Sequence, residues 1–208
     1  MNSVKVKICG LTRAEDVQVA VEAGANAIGF VFTASPRRIN IETAVRLSRY
    51  VPSGVLRVGL FLDQERSEIE RVVHSVPLDL LQFHGNETEQ ECDLFGLPWL
   101  KAVAMEDAGS VKRAQRDYPG AAGLLLDSHS KGERGGSGRV FDWSLSVPES
   151  KSIWLAGGLN ADNVGQAIRT VKPFAVDVSS GVEIRPGIKD AGMIKAFFKA
   201  VRAVEIEL

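Results

Sequence analysis

Short aliphatic runs alternate with amphipathic segments along the whole chain. The aliphatic runs are bounded by Gly, Asp, Ser or Pro, which is typical of buried strands. The segments between them, such as Ala14–Glu22 and Ser67–His74, carry apolar residues at helical spacing. The predicted strands are Val4–Ile8, Ala27–Phe32, Leu56–Leu62, Leu78–Gln82, Trp99–Val103, Gly123–Leu126, Ser152–Leu155 and Phe174–Val178.

The repeated strand–helix pattern predicts an α/β fold with a parallel sheet. Eight regular units within 208 residues favour a closed (β/α)8 TIM barrel, because an open doubly wound sheet rarely has so many regular repeats. A chain that is 45% hydrophobic can fill one sizeable core. We therefore expect residues 1–208 to form a single barrel domain with no second domain fused to it.

Charge and cysteine content narrow the possible partners. The formal net charge is −1 and no run of Lys or Arg forms a basic stripe, so neither a nucleic acid nor an anionic membrane is expected as partner. No apolar segment approaches the roughly 18 residues of a transmembrane helix. The two cysteines, Cys9 and Cys92, lack metal-ligand spacing, and we read Cys92 as a packing residue. These features predict a cytoplasmic protein without a metal site that acts on a small molecule.

The first strand carries the most informative residues. Alternation along Val4–Cys9 places Val6 and Ile8 on one face and Lys7 and Cys9 on the other. A thiol at the carboxyl end of a barrel strand is well placed to act as a base or nucleophile. A free cysteine is more often a small buried packing residue, however, so this strand alone leaves both interpretations open.

Other strands also end in candidate functional side chains. Asp127 follows the three leucines Leu124–Leu126, where a carboxylate packs poorly, and either proton transfer or helix capping explains it. Arg38 has the planar fork that binds a carboxylate, whereas its neighbour Arg37 is expected to face water. His84 either contacts substrate or is a loop histidine held by backbone groups.

Two glycine-containing loops follow the seventh and eighth strands. Gly157 and Gly158 lie in the first loop, and Ser180 and Gly181 lie in the second. Backbone N–H groups at such positions in a barrel bind phosphate, although the glycines could equally serve tight turns. Gly136, in a Gly-Gly-Ser-Gly run after the sixth strand, could close over the same phosphate or belong to a mobile loop.

Five sequence blocks resemble the signature blocks of the phosphoribosylanthranilate isomerase family of the tryptophan pathway. The blocks are Lys7–Thr12, Gln82–Gly85, Gly135–Gly138 leading to Phe141–Trp143, Ala156–Leu159 and Asp177–Glu183. Their order and spread over nearly the whole chain make the resemblance specific, and Phe83 in place of the common leucine is a minor departure. The resemblance implies a (β/α)8 fold and no metal or organic cofactor.

The resemblance also implies an Amadori rearrangement of N-(5-phosphoribosyl)anthranilate to the corresponding aminoketose. Asp127 is then the general acid and Cys9 the general base, while Arg38 holds the anthranilate carboxylate. His84 and Asp177 are expected to contact the substrate.

The remaining assignments concern the phosphate and the thiol. Gly136, Gly157, Gly158, Ser180 and Gly181 are expected to hold the phosphate. From strand alternation we further expect the Lys7 charge to favour the thiolate of Cys9. Asp177 on the neighbouring last strand is expected to be the counter-ion of Lys7 or, alternatively, to contact the substrate. We expect the protein to be a monomer or a homodimer.

Three other functions are known for barrels that bind phosphorylated ligands or would fit this fold. A histidine-pathway isomerase is expected to carry an aspartate at the end of its first strand, where Cys9 stands instead. Indole-glycerol-phosphate synthase needs a strand lysine as acid, which the ends of the third and fourth strands do not supply. A non-catalytic phosphate-binding barrel remains an alternative at the level of fold, although the presence of both Cys9 and Asp127 weighs against it.

Overall fold

The computed structural model describes residues 3–107, 109–128, 142–143 and 152–207. Gly136, predicted to bind phosphate, lies outside the described residues. The barrel strands are β1 Lys5–Cys9, β2 Ala27–Val31, β3 Leu56–Phe61, β4 Leu80–Phe83, β5 Trp99–Ala104, β6 Gly123–Asp127, β7 Ser152–Leu155 and β8 Ala175–Val178. The helices are α1 Ala14–Ala23, α2 Ile41–Ser48, α3 Arg66–Ser75, α4 Glu89–Cys92, α5 Ser110–Asp117, α6 Val164–Val171 and α7 Ala191–Glu207.

The eight strands form a closed parallel barrel in chain order. Closure brings β1 beside β8, where Lys7 lies opposite Asp177. This confirms the (β/α)8 fold and the expected neighbourhood of the first and last strands. The strand bounds differ from the predicted ones by at most two residues at either end, and both Cys9 and Asp127 are the last residues of their strands rather than the first residues of the following loops.

Side-chain alternation separates two buried layers. Outward-facing residues such as Val6 and Ile8 pack beneath the helices in the larger apolar cluster. A second cluster fills the lower part of the barrel interior with Ala27, Val58, Leu80, Leu100, Leu125, Trp154, Ala156 and Ala175. Above it the barrel interior becomes polar, because Lys7, Gln82 and Asp177 are also buried. The second apolar cluster therefore packs directly below this polar layer.

A short hairpin follows β8 and was not predicted. A 3₁₀ turn at Ser180–Val182 leads into β9 Glu183–Arg185, which pairs antiparallel with β10 Ile188–Lys189. The hairpin places Lys189 against the end of β1, where its ammonium donates to the Cys9 carbonyl oxygen over 2.6 Å. No helix in the described part of the chain combines the length and apolar character needed to cross a membrane.

Candidate active site

One cavity of about 370 Å³ opens at the carboxyl ends of the strands. It is large enough for a small ligand. Its lining includes predicted site residues from five strands and the loops after them, namely Cys9, His84, Asp127, Gly157, Gly158, Asp177 and Ser180. The parallel barrel therefore brings together side chains that are far apart in sequence, as expected from the polar strand ends.

Cys9 is the last residue of β1, and its side chain is almost fully buried at the cavity wall. Burial raises the pKa of this thiol above its usual value, although the charges of Lys7 and Lys189 act in the opposite direction. Lys7 thus acts in favour of the thiolate, as expected from strand alternation, but burial has the larger effect on the pKa of the thiol.

Gly29 on β2 makes room for the thiol. A Cβ atom at this position would lie 2.8 Å from the Cys9 Sγ and 3.2 Å from the Lys7 Cε. The same Cβ would lie 3.0 Å from the Cys9 Cα, so any larger residue here must displace the thiol, the lysine stem or the backbone of β1, all of which are held by the closed barrel. This role of Gly29 was not predicted from the sequence.

Replacing Gly29 with Ala is expected to destabilise the fold by about 1–3 kcal/mol, the usual cost of overpacking, and to lower kcat by moving the thiol. Urea unfolding and steady-state kinetics measure the two effects. In a Cys9→Ala background the added methyl no longer meets Sγ, so the same change should cost less stability. An equal cost in both backgrounds would show that Gly29 does not position the thiol.

The buried Lys7 ammonium has two partners across the barrel interior. It donates to the Asp177 Oδ2 over 2.7 Å and to the Gln82 Oε1 over 2.9 Å. Burial alone would lower the pKa of Lys7, but the adjacent Asp177 charge raises it above its usual value. This confirms Asp177 as the counter-ion. The other carboxylate oxygen of Asp177, Oδ1, is buried without a hydrogen-bond partner among the described residues, and Asp177 lines the cavity.

Asp127 and His84 meet at the cavity wall. The Asp127 Oδ2 lies 3.3 Å from the His84 Nε2, and the His84 Nδ1 lies 3.0 Å from the Gln82 Nε2. His84 therefore links the carboxylate of Asp127 to the polar layer inside the barrel. The sequence indicated both residues, but it did not indicate that one contacts the other.

The two predicted phosphate loops come together above β7 and β8. Gly157 and Gly158 have φ angles of +83° and +65°, a backbone conformation that favours glycine. A Cβ atom on Gly181 would overlap the Leu159 carbonyl oxygen, so only glycine allows the loops to approach this closely. Ser180 begins the 3₁₀ turn that contains Gly181, and it lines the cavity.

The two adjacent arginines have different environments. Arg37 is buried rather than facing water, which corrects the sequence prediction: its Nε and one terminal nitrogen bind the Glu183 carboxylate at 2.9 and 2.7 Å. Arg38 is exposed and makes no ion pair within the described residues. Arg37 lines the cavity together with Ser35 and Pro36, whereas Arg38, the next residue, is not part of the lining. The guanidinium of Arg37 is thus occupied, whereas that of Arg38 remains available.

A buried ionic cluster, formed by Arg37, Glu183 and Lys189, lies beneath the second phosphate loop. Besides the Cys9 carbonyl oxygen, the Lys189 ammonium donates to the Glu183 Oε1 over 2.8 Å and to the Ser179 carbonyl oxygen over 3.1 Å. Lys189 thereby ties the end of β1 to the end of β8. Nothing in the sequence pattern pointed to it, because the two-residue strand that carries it has no periodicity.

Replacing Glu183 with Gln is expected to destabilise the protein by about 3–5 kcal/mol at neutral pH, because two buried cations lose their partner. Burial alone would raise the pKa of Glu183, but hydrogen bonds and charge from Arg37 and Lys189 lower it below 4.5. Its stabilising contribution is therefore complete above pH 4.5 and is lost as the pH falls through the lower, folded-state value.

The difference in free energy of unfolding between wild type and Glu183→Gln should accordingly shrink on acidification. Urea titrations at neutral pH and at about pH 4 measure it. A difference that stays constant or grows as the pH falls would contradict the assigned ionic cluster.

The described residues contain no group of three or more His, Cys, Asp and Glu side chains arranged to hold a metal ion. The cavity wall presents a thiol, a carboxylate and two glycine-containing loops. The fold and the site define a (β/α)8-barrel enzyme with acid and base groups at the carboxyl ends of its strands.

Comparison with known proteins specifies the family. The family model for N-(5'-phosphoribosyl)anthranilate isomerase matches residues 6–200. An N-(5'-phosphoribosyl)anthranilate isomerase of Pseudomonas putida is 53% identical over 205 residues, covering 97% of this chain and 99% of its own. The Pseudomonas aeruginosa enzyme is 50% identical over 206 residues, covering 98% and 97%. The chain belongs to the N-(5'-phosphoribosyl)anthranilate isomerase family.

Solved structures agree with this assignment. Phosphoribosylanthranilate isomerase from Thermotoga maritima superposes with a TM-score of 0.88 at 44% identity, covering 96% of this chain and 99% of that one. A phosphoribosylanthranilate isomerase in complex with reduced 1-(o-carboxyphenylamino)-1-deoxyribulose 5-phosphate superposes with a TM-score of 0.85 at 41% identity, again covering 96% and 99%.

Proposed function

We propose that this protein converts N-(5'-phosphoribosyl)anthranilate into 1-(2-carboxyphenylamino)-1-deoxyribulose 5-phosphate, an Amadori rearrangement in tryptophan biosynthesis, with Cys9 as general base and Asp127 as general acid. The observation that carries the proposal is the placement of a thiol and a carboxylate at the wall of one cavity that also reaches two glycine loops. Membership of the family indicates the substrate, and the side chains at the cavity wall are suited to acid–base chemistry on that substrate.

The reaction needs two proton transfers. Asp127 protonates the ring oxygen of the ribose, the ring opens, and an iminium forms between C1 and the anthranilate nitrogen. Cys9 then removes the proton from C2, which gives an enolamine that tautomerises to the ketone. Because the reaction is an isomerisation within one molecule, alignment of acid, base and substrate provides much of the rate.

The iminium also explains how a buried thiol acts as a base. Burial raises the pKa of Cys9, so a further positive charge near the thiol is needed to favour the thiolate. Ring opening creates a positive charge next to the thiol, and a nearby positive charge favours the charged form of an acid. Lys7 and Lys189 act in the same direction.

Two anchors hold the ends of the substrate. The phosphate is assigned to the loops that contain Gly157, Gly158, Ser180 and Gly181, with Gly136 as a predicted further contact. The anthranilate carboxylate is assigned to Arg38, whose guanidinium makes no ion pair within the described residues. Arg38 follows three residues of the cavity lining in the sequence, Ser35, Pro36 and Arg37. Anchoring at both ends fixes C1 and C2 between them.

Asp177 and His84 complete the proposed substrate contacts. The Asp177 Oδ1, which has no hydrogen-bond partner among the described residues, is available to a sugar hydroxyl, while Oδ2 stays bound to Lys7. His84 contacts Asp127 and also lines the cavity, so it can orient both the acid and the substrate.

Several properties of the whole chain belong to the same proposal. Residues 1–208 act as one catalytic domain, as a monomer or a homodimer, in the cytoplasm. The reaction requires no metal and no organic cofactor, because acid–base groups suffice for both proton transfers.

The proposal is tested by mixing the purified protein with freshly prepared N-(5'-phosphoribosyl)anthranilate in the presence of a chelator and following the loss of substrate fluorescence. Rapid turnover supports the isomerase and its independence of metal. Folded protein that binds inorganic phosphate but leaves the substrate unchanged would instead indicate a non-catalytic phosphate-binding barrel.

A further inference from the structure

Gln82 is buried on β4 with an exposed fraction of 1%, between the Lys7 ammonium and the His84 ring. Its two amide ends face different groups: Oε1 lies 2.9 Å from the Lys7 Nζ and Nε2 lies 3.0 Å from the His84 Nδ1. A chain of polar contacts therefore runs from Asp177 through Lys7, Gln82 and His84 to Asp127.

The orientation of this chain follows from the chemistry of its members. An ammonium has donors only, so the oxygen of the Gln82 amide must face Lys7. The amide nitrogen of Gln82, which is also only a donor, must then face His84. The His84 Nδ1 has to accept this hydrogen bond, and in a neutral imidazole the proton consequently resides on Nε2.

We propose that Gln82 is a positioning residue that fixes His84 in the Nε2–H tautomer, so that this N–H donates to the Asp127 carboxylate. The inference rests on the proposed function only for its catalytic consequence. When Asp127 gives its proton to the ribose ring oxygen it becomes a carboxylate, and the His84 Nε2, which lies 3.3 Å from the Asp127 Oδ2, is placed to donate to the oxygen on which that charge develops.

The opposite tautomer would reverse this effect. A ring with its proton on Nδ1 would present an unprotonated Nε2 to Asp127, and two acceptors would face each other as soon as Asp127 loses its proton. Lys7 prevents the Nδ1–H tautomer without touching His84, because its hydrogen bond to the Gln82 Oε1 sets the direction of the Gln82 amide. Lys7 thus affects the base Cys9 through its charge, and it affects the acid Asp127 through the side chains of Gln82 and His84.

The direct test is nitrogen-15 NMR of the histidine rings in the intact protein, since two-bond proton–nitrogen spectra identify which ring nitrogen carries the proton. The chain has three histidines, and a His84→Asn sample assigns the signals of His84. We expect Nδ1 to be unprotonated and Nε2 to be protonated. A proton on Nδ1 in the wild-type protein would overturn the proposal, and this measurement does not depend on turnover.

The variant Gln82→Glu tests the role of the amide. A carboxylate of almost the same shape can still accept from Lys7, but its second oxygen accepts from His84 and so draws a proton onto Nδ1. We expect the NMR signals to show this change and kcat to fall by on the order of tenfold to a hundredfold, the range typical of lost orienting partners, with little change in KM.

A matched control is Gln18→Glu, which adds the same charge at an exposed position of α1 and should change neither the His84 signals nor kcat. An unchanged tautomer in Gln82→Glu, or a reversed tautomer with unchanged kcat, would refute the positioning role. If the wild-type tautomer is as expected but substrate is not turned over, the proposed function fails while the assignment of the tautomer stands.

Discussion

Replacing Cys9 with Ser, or Asp127 with Asn, is expected to lower kcat by about 10²–10⁴-fold each, the usual contribution of a positioned acid or base. Serine is nearly isosteric with cysteine but is a far weaker acid, so its alkoxide is not available to remove the C2 proton. Asparagine preserves the shape of the aspartate and has no proton to give to the ring oxygen. Steady-state kinetics with N-(5'-phosphoribosyl)anthranilate measures both effects.

Two control variants remove the same chemical groups elsewhere in the chain. Cys92 is buried in the outer apolar cluster, with its pKa raised to about 12 by burial, and Cys92→Ala should leave kcat unchanged even if stability falls. Asp117 is exposed at the end of α5, and Asp117→Asn should change neither property. Near wild-type turnover by either Cys9→Ser or Asp127→Asn would contradict the assigned roles.

Replacing Lys7 with Met should lower the free energy of unfolding by about 3–5 kcal/mol. Methionine fills a similar volume, but Asp177 is left as a buried carboxylate without its charged partner, and Gln82 loses the donor that orients it. Urea unfolding measures the loss. Kinetics should show lower activity as well, because the charge that favours the Cys9 thiolate has been removed.

Two further variants separate charge burial from general damage to β1. Lys5 lies two residues earlier on the same face of the strand and is only partly buried, so Lys5→Met should cost about 1 kcal/mol or less. The double variant Lys7→Met/Asp177→Asn removes both charges and should recover part of the lost stability, but not the activity. Equal losses in Lys5→Met and Lys7→Met would refute the role of the Lys7–Asp177 pair.

Much of the fold could be predicted because the alternation of side chains within each strand and the closure of the barrel place the same residues together. The alternation of Lys7 and Cys9 with Val6 and Ile8 placed the first two inside the barrel, where they lie. Barrel closure then made Asp177 the nearest carboxylate to Lys7, which the register of β1 and β8 confirms. These inferences succeeded because strand alternation and closure are properties of the backbone.

Contacts made by loops could not be predicted in the same way. Arg37 and Arg38 are adjacent in a loop without regular alternation, so the sequence did not indicate that Arg37 would be buried against Glu183. Lys189 lies on a two-residue strand, and its position depends on how the hairpin folds back onto β1. Gly29 is a further example, since its role depends on the Cys9 thiol of a neighbouring strand.

The separate roles of Cys9 and Asp127 are the central claim, and substrate carrying deuterium at ribose C2 tests them most directly. Single-turnover rates with labelled and unlabelled substrate are compared in Cys9→Ser and in Asp127→Asn. We expect a primary isotope effect in Cys9→Ser, where removal of the C2 proton limits the rate, and little or none in Asp127→Asn, where ring opening limits it. A primary isotope effect in Asp127→Asn that is absent from Cys9→Ser would contradict the assignment of base and acid.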